Sequence, residues 1–437
     1  MPHSDAVMPG AMRRAWGTAL VLTFPLLSLV TNFAIGAACL LSFITALCWW
    51  RPSWQALRRH WPDVRWVVLA FLLHLVYFAA LTLLRGGSDN GLDSPTRMCL
   101  AIGGMLVVLV ARPPARALWL GAAFGALAAL AFVGWQRVML GIPRPGGLLY
   151  PITFGDLALV LAMLSLCGAV DSTGTTAAGT KAAGTRAGGA WRRAGIGIAL
   201  LGGVCGLAAS ALTGSRGGWV ALPVIFVFLL WRRDILPRRL AWGLPLLLGA
   251  LVALAYAVPQ TGVRERVAVG VEDVRLYLSG DPAATSLGVR FDLWKGALRV
   301  AREHPWTGLD TPDYKRQFHA WVDAGQLSPN VFTPPEPPHM HNDALQVLAT
   351  RGWPGLLSWI GILLAPLAFF SARLRRTRSH GPQRAAALAG ALLVLAYASF
   401  GLSEVIFWSM KGCVFYALLV FLLMGWCLVP ADEHASV

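Results

Sequence analysis

Two imidazoles stand at the entrance to an apolar run. His339 and His341 lie in Pro337-Pro338-His339-Met340-His341-Asn342, directly before Asp343 and the run opened by Leu345, Val347 and Leu348. Asn342 is a good N-cap and Asp343 suits a first turn, so a helix starts here. Its free backbone N–H groups and the positive end of its dipole favour an anion such as phosphate. The same field disfavours imidazolium, which leaves a neutral histidine able to accept a proton near pH 7. The pairs Pro334-Pro335 and Pro337-Pro338 stiffen the approach and help hold a catalytic side chain. An H-x-H pair can also bind zinc, but the preceding loop has no cysteine and only scattered carboxylates, so no metal is expected. The plainest alternative is a pair of histidines that only cap the helix.

Arginines supply the complementary charge. Thr213-Gly214-Ser215-Arg216-Gly217-Gly218-Trp219 makes a very short turn between two apolar runs, with glycines that allow close backbone approach. Taken alone, Arg216 could simply snorkel to headgroups. From Ser286 to Pro305 the residues Leu287, Phe291, Trp294, Leu298 and Ala301 recur at helical spacing, with Arg290, Lys295, Arg299 and Arg302 available to the other faces. The pattern predicts an amphipathic helix, stopped by Pro305, that could lie on a membrane surface with its cations on lipid phosphates or in solvent. Asp156, near the start of another apolar run, could pair with Arg144 or Arg216. His74, in the middle of a run, reads as a hydrogen-bonded core residue rather than part of a proton path.

The elements that must position these residues are membrane spans. The chain is 56% hydrophobic and 13% charged, with a mean hydropathy of +0.60, far more apolar than a soluble domain. A span needs roughly 20 mostly apolar residues. Twelve candidates follow: Trp16–Thr31, Ala34–Trp50, Trp66–Leu84, Pro95–Ala111, Ala117–Gln136, Pro151–Val170, Ala194–Thr213, Gly217–Trp231, Ala241–Val258, Asp343–Ala372, Ala385–Gly401 and Phe407–Leu428. The run after Arg13 and Arg14 leads straight into the next without a small-residue cleavage site, so no cleavable signal is expected. The fold class is therefore an all-α polytopic membrane protein. Residues 1–257 carry the first nine spans, 258–342 form one large polar loop, and 343–437 carry the last three.

Charge orients the spans. One alternate set of loops holds 21 basic residues, among them Arg58, Arg112, Arg192, Arg238 and Arg375, and the short loops of the other set hold six. Basic loops stay in the cytoplasm, so both termini face inward and the long loop faces outward. The net charge of +16 reflects this collar and its anionic headgroups rather than nucleic-acid binding. All seven cysteines fall inside predicted spans, which argues against a disulfide framework or thiolate zinc site. Asp171–Ala190, with its near-repeated Ala-Ala-Gly-Thr, reads as a flexible cytoplasmic linker. Trp50, Trp66, Trp191 and Trp231, near span ends, read as interfacial anchors.

Three motifs in order, on the correct side, carry a resemblance. They are Ser215-Arg216-Gly217 in an outer turn; Arg290 followed by Trp294, Ala297, Pro305 and Gly308; and His341-Asn342-x-x-Leu345 followed by Gly352 and Gly355. Over about Ala194 to Gly355 the chain resembles the O-antigen ligase and O-antigen polymerase superfamily. The resemblance implies a GT-C-like, metal-independent glycosyltransferase of the bacterial inner membrane, without a cofactor, whose large loop is periplasmic. Its donor is an undecaprenyl-diphosphate-linked glycan. Arg216 and Arg290 would clamp the diphosphate in bidentate fashion and stabilise the charge growing on the leaving group. A histidine would take the proton of the acceptor hydroxyl as that oxygen attacks the anomeric carbon from the opposite face. His339 is assigned as base and His341 as its orienting or diphosphate-binding neighbour, although the spacing permits the reverse. Asn342 and Asp156 are supporting candidates.

Within the superfamily the acceptor decides the activity. Ligases attach finished polymer to the lipid A–core oligosaccharide, polymerases extend the lipid-linked glycan, and relatives glycosylate protein. One large outer loop instead of two, and a chain that stops at Val437 soon after the last span, favour O-antigen ligase over O-antigen polymerase or protein O-oligosaccharyltransferase. The expected partners are the lipid-linked donor, the lipid A–core acceptor and membrane lipids, with no nucleic acid. A secondary transporter shares the outline, but the two halves show no similarity and the selected charges lie at the boundary instead of mid-membrane.

Overall fold

In lipid, an apolar run can satisfy its backbone only internally, and the computed structural model is all-helical, with no strand among its described residues. Described are residues 10–86, 90–174, 186–215, 217–232, 263–279, 286–332, 339–377 and 381–429, with isolated positions between 246 and 257. The helices are α1 (Gly10–Leu27), α2 (Ala34–Cys48), α3 (Trp50–Leu84), α4 (Asp93–Leu100), α5 (Ile102–Ala111), α6 (Arg116–Val138), α7 (Pro151–Gly174), α8 (Arg186–Leu212), α9 (Ala221–Trp231), α10 (Val263–Leu278), α11 (Ser286–Glu303), α12 (Thr311–Asp323), α13 (Asp343–Arg376), α14 (Pro382–Phe400) and α15 (Met410–Leu428).

Among the described residues, eight helical stretches are long and apolar enough to cross a membrane. The 18-residue α1 stands at the predicted span Trp16–Thr31, and shorter apolar helices stand at Ala34–Trp50 and Gly217–Trp231. All but isolated positions of the predicted span Ala241–Val258 lie outside the described residues, so twelve crossings are not reached among them. Helix also occupies both ends of the segment read as a linker, because α7 runs on to Gly174 and α8 begins at Arg186. A helix apolar on every side belongs inside a bundle. Accordingly the spans at Pro151–Asp171 and Met410–Leu428 are 94% buried, against 33% for Trp50–Leu84.

The turns sort to two ends. At one, Arg373 pairs with Asp63 at 2.9 Å, and Trp426 Nε1 donates to the carbonyl of Pro113 at 3.0 Å. At the other, Lys411 Nζ donates to Asn32 Oδ1 at 2.9 Å, and Arg85 Nη2 donates to the carbonyls of Thr307 and Thr350. All seven cysteines are free thiols.

The long loop departs from the sequence expectation. α11 does not offer its apolar face to a membrane; Leu293, Ala297 and Val300 pack on Tyr314, Phe318 and Trp321 of α12, with Val331, Met340 and Ala349 closing the core. Leu298, placed on the apolar face by spacing, is 45% exposed. The reason is α12, which Asp310 caps by accepting the Asp313 N–H at 2.8 Å, and which supplies an aromatic partner for α11. The loop core joins the bundle at Gly352, whose φ of 67° breaks α13 and lets the Trp353 N–H reach the carbonyl of Pro305 at 2.8 Å. Tyr77 of α3 braces the same joint through the carbonyls of Trp306 and Arg351.

Candidate active site

Capping brings the site together. Asn342 Oδ1 accepts from the Leu345 N–H at 3.0 Å, starting α13, while Nδ2 donates to the Leu402 carbonyl at 3.4 Å. The Asp343 N–H donates to the Gly401 carbonyl at 2.8 Å, and Asp343 Oδ1 accepts from the Phe407 N–H at 3.3 Å. Four bonds thus tie the start of α13 to itself and to the turn between α14 and α15. Met340 is buried in the loop core, its N–H on Gln346 Oε1 and its carbonyl taking the Trp294 indole N–H at 2.9 Å. The two flanking histidines turn the other way, with rings 4.4 Å apart.

They meet Glu404, from the α14–α15 turn, which the sequence reading did not single out. His339 Nε2 lies 3.5 Å from Glu404 Oε1, and His341 Nδ1 lies 3.8 Å from Oε2. The latter two atoms are buried and without a hydrogen-bond partner. The only signal in the sequence was a carboxylate in the short turn between the last two apolar runs. It also corrects the argument from ligand shortage: His339, His341 and Glu404 each offer a ligand atom, all within 4.8 Å of one another, a trio able to hold a metal ion. The shortage was real only in the loop, and a distant turn makes it good.

The protonation states follow from surroundings. Burial pushes the His339 imidazolium down to about 4, against the pull of Glu404 and with help from His341 and Arg290. Its Nδ1 accepts the backbone N–H of His341 at 3.3 Å, so its single proton sits on Nε2, towards Glu404. Burial pushes the Glu404 carboxyl up, but the two imidazoles and the Val405 N–H, 3.1 Å from Oε1, outweigh it and hold the group below its ordinary value. His341 itself sits at φ 49°, a left-handed conformation that few residues other than glycine adopt.

Arg290, half-buried on α11, lies within electrostatic reach of Glu404, His339 and Tyr150. Arg216 lies outside the described residues, but its neighbours do not. A Cβ on Gly217 would stand 2.7 Å from Ser403 Oγ, and one on Gly218 would collide with Asp156 Oδ1. Glycine therefore lets the turn around position 216 press against the residue before Glu404. Asp156 is 1% exposed, its Oδ2 has no hydrogen-bond partner, and among the described residues it forms no ion pair with Arg144. The segment Pro334–Pro338 is outside the described residues too. His74, as expected, is a buried core residue, its Nδ1 3.0 Å from Ser358 Oγ.

Residues 201–360 match the O-antigen ligase family. The match supports the O-antigen ligase superfamily and takes in Arg216, Arg290, His339 and His341, with Glu404 and Asp156 beyond its ends. A Haemophilus influenzae protein described only as uncharacterized is 22% identical over 360 residues, covering 82% of this chain and 85% of its own length. The O-antigen ligase match and the eight apolar helices together support a bacterial membrane protein related to the ligase and polymerase superfamily.

Proposed function

We propose that this protein is an O-antigen ligase, transferring undecaprenyl-diphosphate-linked polysaccharide to the lipid A–core oligosaccharide at the periplasmic face of the inner membrane. The observation that carries the proposal is the convergence of His339, His341, Glu404 and Arg290 against the turn that flanks position 216. Arg290 and Arg216 hold the diphosphate and take up the charge released when the anomeric C–O bond breaks.

The acceptor oxygen forms the new bond to that carbon and gives its proton to a histidine. His341 suits the base role better than His339, which the sequence had favoured. His339 has one nitrogen on a backbone N–H and the other facing Glu404, so no lone pair is left for substrate. His341 directs Nδ1 at the carboxylate of Glu404, the arrangement in which a carboxylate orients an imidazole and steadies its charged form. His339 then positions Glu404 and the strained peptide of His341.

Although the trio could ligate a metal, Arg290 already lies within its electrostatic reach and opposes a further cation, so the chemistry is taken as metal-independent. The test is deletion of the gene: polymer should accumulate on its lipid carrier and vanish from lipopolysaccharide. Loss of long polymer everywhere would instead make the protein a polymerase, and unchanged lipopolysaccharide would make it neither. Transfer by purified protein should also survive a chelator; inactivation reversed by added Mg²⁺ would reject the metal-free mechanism.

A further inference from the structure

With the apolar side of α11 covered by α12, the long loop still carries one apolar stripe, and it lies on α10. Val263, Val267, Val271, Val274 and Leu278 recur at three- and four-residue spacing, so these positions run down one side of the helix. Val271 is 65% exposed and Val274 38%. Among the described elements α10 packs on α11, and no residue of α10 enters the aromatic core of the loop. The one described side chain of α10 that is buried, Asp273, lies roughly a third of a turn round from the stripe at 3.6 residues per turn. The described contacts of α10 therefore leave the valines uncovered.

Charge is arranged around the stripe and says what covers it. Arg264 and Arg275 border it, whereas Glu265 and Glu272 lie on the far side of the helix, and all four are exposed. Arg275 meets Glu272 only at 3.9 Å, beyond hydrogen-bonding distance, with its side chain 80% exposed. A helix lying in a headgroup layer turns its apolar side to the acyl chains, its arginines to the phosphates and its carboxylates to water. That is the order found around α10. Chain position agrees: Val263 follows the end of the predicted span at Val258 by five residues, a reach of at most about 18 Å, so α10 begins near the membrane boundary. Three arginines, at 264, 266 and 275, balance Glu265, Glu272 and Asp273, so apolar burial rather than net charge must carry the contact.

We infer that α10 is a membrane-surface helix, its valine stripe resting in the phospholipid leaflet at the histidine end of the bundle with Arg264 and Arg275 on lipid phosphates. The surface role that spacing had given to α11 thus belongs to α10, and α11, which carries Arg290, is moored through it at a fixed height over the spans. The inference is independent of the reaction that the site performs. The test uses the full-length protein in phosphatidylcholine vesicles, with the exposed thiol of Cys48 removed by Cys48→Ser and a fluorophore attached at Val271→Cys. Bromine on the acyl chains should quench this label roughly twofold or more, since an interfacial helix sits about 5–10 Å into the boundary between headgroups and chains. Val269→Cys is the control. Val269 is 56% exposed yet lies nearly opposite Val271, so its label should be quenched by aqueous iodide and hardly by bromine. Added anionic lipid or salt should leave both results unchanged. Equal quenching of the two labels by either agent, or quenching of the Val271 label by iodide alone, overturns the membrane seat. So does bromine quenching that disappears in high salt. A Val271 label shielded from both agents, with Val271→Cys cross-linking between protein molecules, would put a second copy of the chain on the stripe and overturn it as well.

Discussion

His339 and His341 are separated by one residue, and the different roles proposed for them follow from different surroundings. With Nδ1 on a backbone N–H, His339 has no free lone pair, whereas His341 Nδ1 faces a buried carboxylate oxygen that has no other partner. His341→Ala should therefore cut the chemical step by about two to four orders of magnitude, with donor binding little changed. His339→Ala should give a milder, mixed defect. A dead His339→Ala beside an active His341→Ala would exchange the roles.

His339 also makes stability depend on pH. Its value falls from the ordinary 6.5 to about 4 on folding, so the unfolded chain binds the proton more readily. The contribution is complete above pH 6.5 and is lost as pH falls from 6.5 to 4. Apparent Tm of the detergent-solubilised protein should drop across that window and drop less in His339→Gln; equal slopes would remove His339 from the account. Arg290, near Glu404 and proposed to hold the diphosphate, should tolerate neither Ala nor Lys, because a point charge cannot reproduce two parallel hydrogen bonds. Loss of such a group costs about 10²–10³ in kcat. Full transfer by Arg290→Ala at normal protein levels would return it to the surface cations, where Arg299 sits with Glu303 at 2.9 Å.

At the scale of elements, the site depends on a break in α13. Gly352 holds φ at 67°, and a Cβ there would stand 2.5 Å from the Pro305 carbonyl. That conformation, with ψ at −170°, is essentially reserved to glycine and costs an L-residue roughly 1–3 kcal/mol before any clash. Gly352→Ala should lower both Tm and transfer by shifting the loop core that carries Trp294 and Met340. Gly361→Ala, further along α13 with only Ala70 at 3.9 Å, should be silent in both measurements. Equal behaviour of the two variants would mean that the break does not position the histidines.

The whole molecule separates its basic turns from its reactive end, and charge alone indicates which end faces the cytoplasm. A cysteine placed at Gln326 should react with an impermeant reagent from outside intact inner membrane, and one at Arg375 only from within. Reaction of both from the same side would reverse the compartment of the chemistry.

Sequence alone determined what depends on neighbours along the chain. Apolar runs of span length fixed helices, Asn342 fixed where α13 starts, and unequal basic loops fixed an expected orientation, because propensity, capping and headgroup attraction act locally or through composition. The ordered arginine and histidine motifs made the family resemblance legible for the same reason. Tertiary structure decided what depends on partners far apart in sequence. Glu404 reaches His341 only because Asp343 and Asn342 bond to the α14–α15 turn. The buried face of α11 centres on Leu293, Ala297 and Val300, one position from Trp294 and Leu298, because it is set by packing on Tyr314, Phe318 and Trp321 of α12, a partner that spacing along α11 cannot reveal. Which histidine keeps a free lone pair was likewise undecidable from spacing: a single backbone N–H, held in a left-handed turn, makes the choice.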